Sequence, residues 1–313
     1  MSVREHRIDV AVFGGTATIL VAGKAPDGTS APLAATRAAA LLRRIDLTLT
    51  RFDPESELSR LNADPRIAVP ASPLLRRLAR AVRQAGELSG GLVDGTVLPE
   101  LVAAGYGASR AGDPRLPADM LRAAPVTGHP AEPDPRARWR KVAVVGEVLV
   151  RPRGVELDGG GLVKGMACDL VADLLEDHPL FGIDCSGDLR LGGTARADRD
   201  VFVEDPFDGE PAVHWRLPSG AVATSGVRNR SWLGPDGGVR HHLIDPARGV
   251  PAETDVVQAT ALAPTALEAE VRAKAALLSG SAAGDGHLGH GGLLITRDGT
   301  LTEHPPHEAR LAA

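Results

Sequence analysis

The chain has 313 residues, of which 24% are charged and 43% hydrophobic, and this is the composition of an ordinary globular protein that can bury a substantial core. The 40 Asp and Glu residues outnumber the 35 Lys and Arg residues, so the formal net charge is −5 and no basic excess indicates a nucleic-acid partner. Aromatic residues make up only 3%, and the two cysteines have no spacing typical of a metal site or a disulfide framework.

The sequence carries no pattern that indicates a membrane location. No stretch approaches the roughly 18 to 20 apolar residues of a membrane span. The first residues, MSVREHRIDVAVFGG, lack an apolar run behind a basic head and lack a small-residue cleavage site. We therefore expect a soluble, cytoplasmic protein with no membrane span.

The N-terminal part of the chain predicts strands followed by helices. IDVAVF and ATILVA are typical of two short strands, and the apolar face of residues 35–49 predicts an amphipathic helix. Residues 51–62, RFDPESELSRLN, are polar and predict a turn-rich segment. Residues 73–89 predict a second helix, because a proline suits its first turn and two glycines would end it.

The C-terminal part predicts many short strands around two helices. Residues 112–136 contain six prolines, which favour a loop or a surface excursion over a helix or a central strand. KVAVVGEVLV predicts a hairpin, and residues 165–177 predict a helix. Short strands follow at FGID, DLRLG, DVFVE, VHWRL, AVAT, HHLI and VVQATAL, and GLLIT with TLTEH closes the chain as a hairpin. Strands and helices are grouped more than strictly alternating, so the predicted fold class is α+β.

The Ala-rich helix AEVRAKAALLSG carries a lysine among its apolar residues. Lys274 lies at helical spacing from Leu267 and Val271, so it is predicted to face inward. Glu270 precedes it by four residues, which is the favourable order for an ion pair. Residues 265–268, Thr-Ala-Leu-Glu, form a capping-box pattern that supports this register.

Two segments place glycines and polar residues after predicted strands. In GGLVDGTVLPELVAAGYG, Asp94 and Thr96 fit either an Asx-capped turn or a ligand contact. In LDGGGLVKGMACD, Gly160 and Gly161 lie ahead of Lys164 at a predicted helix start. Backbone N–H groups and a helix N-terminus favour an anion such as phosphate, although a tight strand–helix turn explains the same pattern.

Two further segments have a similar character. In DCSGDLRLGG, Gly187 and Asp188 predict either a bend that orients the Asp188 carboxylate or a hairpin with a β-bulge. In ATSGVRNRSW, Thr224, Ser225 and Gly226 end a strand with arginines close behind, which suits phosphate oxygens as well as a polar loop.

A fifth segment, HHLIDPARGVP, brings histidine and carboxylate together in sequence. His242 lies on a short predicted strand, and Asp245 begins the turn that ends it. This proximity is compatible with acid–base pairing, but an isolated histidine is more often structural.

The set and order of these segments resemble the ApbE family, the FAD:protein FMN transferases. The resemblance runs in family order from about Gly14 to Gly280, and its fullest match is His242–Pro251 with the family pattern His-x-Ile-Asp-Pro-x-x-Gly-x-Pro. The other similar segments are Ser56–Asn62, Val93–Thr96, Asp158–Gly165, Ser186–Asp188 and Ala223–Gly226.

The resemblance implies a fold and an activity. It implies a single ApbE-like α+β domain over residues 1–313, with mixed or antiparallel sheets and packed helices. The domain would consist of two intertwined subdomains, with a nucleotide cleft between these two halves. FAD would be the substrate, FMN would pass to a threonine or serine of a flavin-accepting partner protein, and AMP would leave. Two alternatives are a non-catalytic or weakly catalytic FAD-binding or nucleotide-binding homologue, and an FAD pyrophosphatase that uses water.

The resemblance also assigns residues to the flavin site. His242 is the candidate for the proton of the incoming hydroxyl, and Lys164 and Asp245 join it as candidate catalytic residues. The residues implied at the flavin nucleotide are Asp94, Thr96, Gly160, Gly161, Lys164, Gly187, Asp188, Thr224, Ser225, Gly226 and His242.

The chain departs from the family at the metal site, which usually holds magnesium. The family uses a backbone carbonyl with an Asp and a Thr four apart on a helix, and these positions are here Val163, Glu270 and Lys274. A glutamate can ligate magnesium, but a lysine ammonium has three donors and no acceptor. Either Lys274 replaces the cation, or the metal site is lost and the protein only binds a nucleotide; a surface salt bridge is the third interpretation.

Overall fold

An antiparallel sheet of eight strands forms the centre of the fold in the computed structural model, which describes residues 4–123, 129–234, 237–307 and 311. The strands in that part of the chain are β1 (Glu5–Val12), β2 (Gly15–Ala22), β3 (Ala68–Pro70), β4 (Ala143–Val145), β5 (Val148–Val150), β6 (Leu180–Cys185), β7 (Asp188–Gly192), β8 (Arg199–Glu204), β9 (Pro211–Leu217), β10 (Gly220–Gly226), β11 (Ser231–Leu233), β12 (Val239–His241), β13 (Ile244–Asp245), β14 (Val250–Pro251), β15 (Val256–Ala263), β16 (Gly292–Thr296) and β17 (Leu301–His304). The central order is β1-β2-β6-β7-β10-β15-β16-β17, and each neighbouring pair is antiparallel.

Helices pack against this sheet and against each other. In the described ranges they are α1 (Ala31–Leu49), α2 (Glu57–Ala63), α3 (Pro73–Leu88), α4 (Leu98–Ala103), α5 (Ala118–Ala123), α6 (Val163–Leu175), α7 (Ala266–Ser279) and α8 (Ser281–Gly284), with 3-10 turns at Arg138–Lys141 and Asp285–His287. Helix α1 packs on β1 and β2, α6 packs on β6 and β7, and α7 packs on β10 and β15. Because α6 also packs on α7, the start of each helix lies close to the other.

The apolar core has two main parts. The larger part lies between α1, α3, α6 and the first strands, and it includes the fully buried Leu42, Leu78 and Ile19. The second part surrounds β9, β15, β16 and the later turns of α7. Strand β15 is buried at every position, so both of its faces are covered.

The structure confirms the predicted α+β class and the closing hairpin. It also confirms the helices predicted near residues 35–49, 73–89 and 165–177, whose ends are shifted by a few residues. The strand predicted at HHLI is divided, because β12 ends at His241 and β13 begins at Ile244. His242 therefore lies between two short strands, where its ring can face a cleft rather than a neighbouring strand.

The turn-rich prediction for residues 51–62 was wrong in its second half. Helix α2 begins there, because the Ser56 hydroxyl accepts from the Ser59 N–H at 3.0 Å and so caps the helix. Leu58 and Leu61, three residues apart, are buried on one face. A good N-cap and two anchoring leucines outweigh the polar composition of the segment.

The predicted excursion at residues 112–136 also contains a helix, α5, whose Leu121 is buried. A proline just before the helix does not oppose it, since the first turn needs no backbone donor there. Residues 124–128 lie outside the described part of the chain. After them, the Ala131 N–H donates to Leu278 O at 2.8 Å, which joins the excursion to α7.

Within the described ranges, no helix has the length and apolar character needed to cross a bilayer.

Candidate functional site

A cleft lies where the end of α1, the turn before α6 and the segment before β13 come together. Among the described residues, its basic lining side chains are Arg51, Lys164, Arg230 and Lys274, and its acidic ones are Asp46, Asp94 and Asp158. Burial raises the pKa of Asp158, although Arg51 opposes the effect, and burial also raises the pKa of Asp94. Arg51 Nε also lies 3.3 Å from Asp158 Oδ1, so the cleft wall carries charges of both signs, with one more basic than acidic side chain among the described lining residues.

The turn before α6 contains three consecutive glycines, residues 159–161. Its start is fixed by the Asp158 N–H, which donates to Gly95 O at 2.8 Å. A Cβ at Gly161 would lie 3.0 Å from Cε of Lys274. Glycine at this position therefore leaves room for the lysine stem to lie against the turn.

Helices α6 and α7 cap each other. The Gly165 N–H in the first turn of α6 donates to Glu270 Oε2 at 2.9 Å. In return, the Asp169 carboxylate accepts from the N–H groups of Ala266 and Leu267 at 2.7 and 3.0 Å. Each carboxylate satisfies donors that a helix start leaves free and lies at the positive end of the helix dipole. The two helix starts are thus held together beside the cleft.

Two buried ion pairs lie at this junction. Lys164 Nζ lies 2.7 Å from Asp188 Oδ2, and Lys274 Nζ donates to Glu270 Oε1 at 3.0 Å. Burial alone would lower the pKa of Lys164, but the carboxylates of Asp188 and Glu270 outweigh it and the pKa is raised. Burial opposes ionisation of Glu270, yet Lys274 and Lys164 hold the pKa of this carboxyl below its usual value. Lys164 and Glu270 are therefore charged at neutral pH.

Aromatic side chains from three segments meet at the cleft. The ring centroids of Phe52 and Tyr106 are 6.0 Å apart, and those of Tyr106 and Trp232 are 5.7 Å apart. The Arg51 guanidinium lies over both Phe52 and Tyr106, 4.2 and 4.7 Å from their centroids. Phe52 and Tyr106 line the cleft, so a flat ligand ring can contact an aromatic wall there.

His242 lines the cleft as a neutral side chain. Burial and the nearby Arg230 lower its pKa well below the ordinary value. Its Nδ1 atom is buried, and no hydrogen-bond partner for it is found among the described residues. A neutral imidazole with a free ring nitrogen can accept a proton from a bound ligand.

Asp245 has a different environment from His242, although the two are close in sequence. Its Oδ1 accepts from the N–H groups of Ala247, Arg248 and Glu132 at 3.0, 3.3 and 3.3 Å. The carboxylate thus holds the turn after β13 and joins it to the 112–136 excursion. No hydrogen bond between the side chains of His242 and Asp245 is found in this described segment.

The remaining predicted site residues are held by local contacts. Asp94 Oδ1 accepts from both the N–H and the hydroxyl of Thr96, at 2.8 and 2.6 Å. The hydroxyl of Thr224 lies 2.9 Å from that of Thr260 on the adjacent strand. Gly187 has a φ of 94°, which a turn between β6 and β7 requires and which other residues rarely adopt.

Comparison with known proteins then identifies the family. The sequence model of the ApbE family matches residues 13–291. The chain belongs to the ApbE family. Among curated relatives, the FAD:protein FMN transferase of Treponema pallidum is 31% identical over 147 residues, which are 42% of this chain and 40% of that protein. The FAD:protein FMN transferase of Vibrio cholerae is 26% identical over 261 residues, 78% of this chain and 72% of that protein.

Solved ApbE structures share the fold over nearly the whole chain. The ApbE protein of Thermotoga maritima superposes with a TM-score of 0.76 at 23% identity and covers 96% of this chain and 97% of its own. The apo flavinyl transferase ApbE of Pseudomonas stutzeri gives 0.76 at 23% identity, with coverage of 99% and 98%. These likenesses confirm the ApbE-like α+β architecture predicted from the sequence.

The cleft brings together part of the residue set predicted from the ApbE resemblance. The predicted residues that line it are Asp94, Gly160, Gly161, Val163, Lys164, His242 and Lys274. Those that do not line it are Thr96, Gly187, Asp188, Thr224, Ser225, Gly226, Asp245 and Glu270. Asp188 and Glu270 nevertheless contact it through the two lysines that they pair with.

Sequence reasoning missed Tyr106, which lines the cleft, and Trp232, which packs against Tyr106. Tyr106 is the only tyrosine of the chain and lies between two glycines at the end of the Asp94 segment. This position could have indicated a candidate site residue. Trp232 offered none, because its contact with Tyr106 joins positions 126 residues apart in a way that no local pattern encodes.

The side chains at the metal position that the ApbE resemblance implies do not fit a divalent cation. Both oxygens of Glu270 are engaged, one by the Gly165 N–H and one by the Lys274 ammonium. An ammonium cannot ligate a metal. Across the described residues, no group of three or more His, Cys, Asp or Glu side chains is placed to hold a metal ion. The inward orientation predicted for Lys274 is confirmed, since its side chain is only 11% exposed.

Proposed function

We propose that this protein transfers the FMN part of FAD to a hydroxyl of a partner protein and releases AMP, as a transferase of a phosphorus-containing group. The observation that carries the proposal is a cleft in which lysines and arginines lie next to the aromatic pair Phe52 and Tyr106. A dinucleotide such as FAD presents both a pyrophosphate and flat rings. The names of the relatives in Treponema pallidum and Vibrio cholerae support the same activity.

The pyrophosphate binds at the start of α6 in this proposal. Lys164 supplies a positive charge, and Gly160 and Gly161 let the phosphate approach the backbone closely. Asp188 holds the Lys164 ammonium in place through the 2.7 Å ion pair. Asp94, Thr96, Gly187, Thr224, Ser225 and Gly226 stay predicted contacts of the nucleotide.

The chemistry is a displacement at the FMN phosphorus. The partner's hydroxyl oxygen forms a bond to phosphorus, and the bond from that phosphorus to the oxygen bridging to AMP breaks, so AMP leaves with the electron pair. His242 takes the hydroxyl proton in this proposal, because it is neutral and lines the cleft. Asp245 contributes by fixing the turn that follows the His242 segment.

Positioning and charge neutralisation supply most of the rate in such a reaction. The expected acceptor group is a threonine or serine hydroxyl. The cytoplasmic location expected from the sequence stays a prediction, which cell fractionation tests.

The test is incubation of the purified protein with FAD and a flavin acceptor domain that carries a reactive threonine. Covalent flavin fluorescence on the acceptor and an equal amount of AMP are expected, and an acceptor with that threonine changed to alanine should stay unlabelled. FAD that is bound without products would instead make the protein a nucleotide-binding homologue. AMP with free FMN in the absence of acceptor would make it an FAD pyrophosphatase.

A further inference from the structure

We propose that the Lys274 ammonium acts as the fixed cation of this site, so that FMN transfer proceeds without a bound divalent metal. The inference rests on the proposed function and deepens it, because it names what neutralises the pyrophosphate in this chain. It starts from the mismatch between the residues present and a metal site.

The Lys274 ammonium lies in the cleft beside the glycine turn. Lys274 lines the cleft, and the end of its stem lies against Gly161 in the glycine turn. Its charge is therefore next to the start of α6, where a phosphate would bind. Glu270 fixes the ammonium at 3.0 Å from one helical turn away, so the cation is in place before a ligand binds.

The Lys274 ammonium has more hydrogen-bond donors than Glu270 uses. A lysine ammonium has three N–H donors. Hydrogen bonding to Glu270 uses one of them, which leaves two for the oxygens of a phosphate. The buried carboxylate would repel that phosphate if it were uncompensated. Paired with Lys274 and hydrogen-bonded to Gly165, it becomes part of a neutral group that directs donors into the cleft.

The cleft holds other basic side chains besides Lys274. One ammonium carries half the charge of a divalent ion, but it does not act alone. Lys164, Arg51 and Arg230 line the same cleft within the described residues. Arg51, Lys164 and Lys274 are each paired with a carboxylate, so they would bind a pyrophosphate at the glycine turn and the α6 start mainly through their remaining N–H donors, and Arg230 adds positive charge.

The first experiment measures metal binding directly. Mn²⁺ binding to the FAD-loaded protein is followed by electron paramagnetic resonance for the wild type and for Lys274→Thr. No stoichiometric Mn²⁺ should bind to the wild type, and the variant should gain a site because Glu270 is released and a hydroxyl ligand is added. One tightly bound Mn²⁺ per wild-type molecule would overturn the proposal.

The second experiment measures transfer with and without EDTA. The wild-type rate should be unchanged by EDTA, and Lys274→Met should lose about 100-fold in rate, the typical effect of removing one charge-stabilising donor. Arg272→Met is the matched control, because Arg272 forms a comparable pair with Glu268 on α7 at 2.7 Å but does not line the cleft. Its rate should stay near that of the wild type. Wild-type transfer that stops in EDTA and returns with Mg²⁺ would overturn the proposal.

A double variant tests whether misfolding explains a loss of transfer. Glu270→Gln/Lys274→Met removes both charges and keeps an acceptor for the Gly165 N–H, so it should fold, bind no Mn²⁺ and transfer slowly. A double variant that transfers at the wild-type rate would contradict a role for Lys274. If no variant and no condition yields transfer while FAD binds, the proposed function fails and metal-free transfer fails with it, whereas the Mn²⁺ measurement separately shows whether Lys274 excludes a metal ion from the site.

Discussion

Glu270 and Lys274 form an ion pair inside the fold, with side chains 1% and 11% exposed and 3.0 Å between Oε1 and Nζ. The second carboxylate oxygen accepts from the Gly165 N–H at 2.9 Å. The pair therefore does two things at once: it holds the start of α6 against α7, and it places an ammonium in the cleft. A surface salt bridge, which contributes only about 0.2–0.5 kcal/mol, is excluded by this burial.

The first prediction concerns the stability of this pair. Glu270→Gln should lower the free energy of unfolding by about 3–5 kcal/mol, because it leaves the Lys274 ammonium buried without its partner. Urea denaturation measures the loss. Glu270→Gln/Lys274→Met should recover much of it, since no unpaired charge remains; a double variant as unstable as the single one would contradict this account.

The second prediction concerns the aromatic wall. Phe52→Ala should weaken FAD binding, because a stacked ring contact contributes about 1–3 kcal/mol by analogy with base stacking. Flavin fluorescence titration measures the affinity. Phe202→Ala is the matched control, since Phe202 is also exposed but stacks on His214 in the β8–β9 hairpin away from the cleft. Equal losses in the two variants would show that Phe52 does not contact FAD.

The third prediction concerns proton transfer. His242→Gln should reduce the transfer rate by about 10²–10⁴-fold, the usual contribution of a general base, with little change in FAD affinity. Because burial and Arg230 lower the pKa of His242, the wild-type rate should persist below pH 6.5 instead of falling there. His214→Gln, on the exposed hairpin, serves as the control. A variant rate close to that of the wild type would exclude His242 as the base.

The fourth prediction concerns stability and pH. Burial lowers the pKa of His241 to about 4, although the hydrogen bond from Nε2 to Ala252 O at 2.8 Å opposes this shift. Nδ1 accepts from the Leu243 N–H, and a second ring proton would break that hydrogen bond. Between about pH 4 and 6.5 the unfolded chain binds this proton and the folded chain does not. Stability should therefore rise with pH across that window, by about 3 kcal/mol from this residue, and level off above it.

The measurement is chemical denaturation at a series of pH values. His241→Gln should lower the slope of unfolding free energy against pH between pH 4 and 6.5. The neighbouring His242 contributes a slope of the same sign, so the variant should reduce the slope without abolishing it. Identical slopes for the variant and the wild type would contradict the prediction.

Much of the fold was predictable from local patterns. The Thr265 hydroxyl accepts from the Glu268 N–H at 3.3 Å, as the capping pattern predicted, although the Glu268 carboxylate pairs with Arg272 instead of completing the box. The segment at 51–62 was misread because its helix depends on where Leu58 and Leu61 are buried, and burial is a property of the whole fold.

The α+β class, the glycine turn ahead of Lys164 and the inward face of Lys274 could be predicted without a structure, because spacing and residue type within a few positions decide the backbone conformation. The family could be predicted from the order of short segments along the chain. The meeting of Phe52, Tyr106 and Trp232, and the hydrogen bonds that the Asp245 carboxylate accepts from a turn, could not be predicted. Such contacts join segments far apart in the chain, and the packing of helices on the sheet decides them. The same packing takes the Glu270–Lys274 pair into the interior and places the Lys274 ammonium beside the cleft, whereas helical spacing alone predicts only an ion pair.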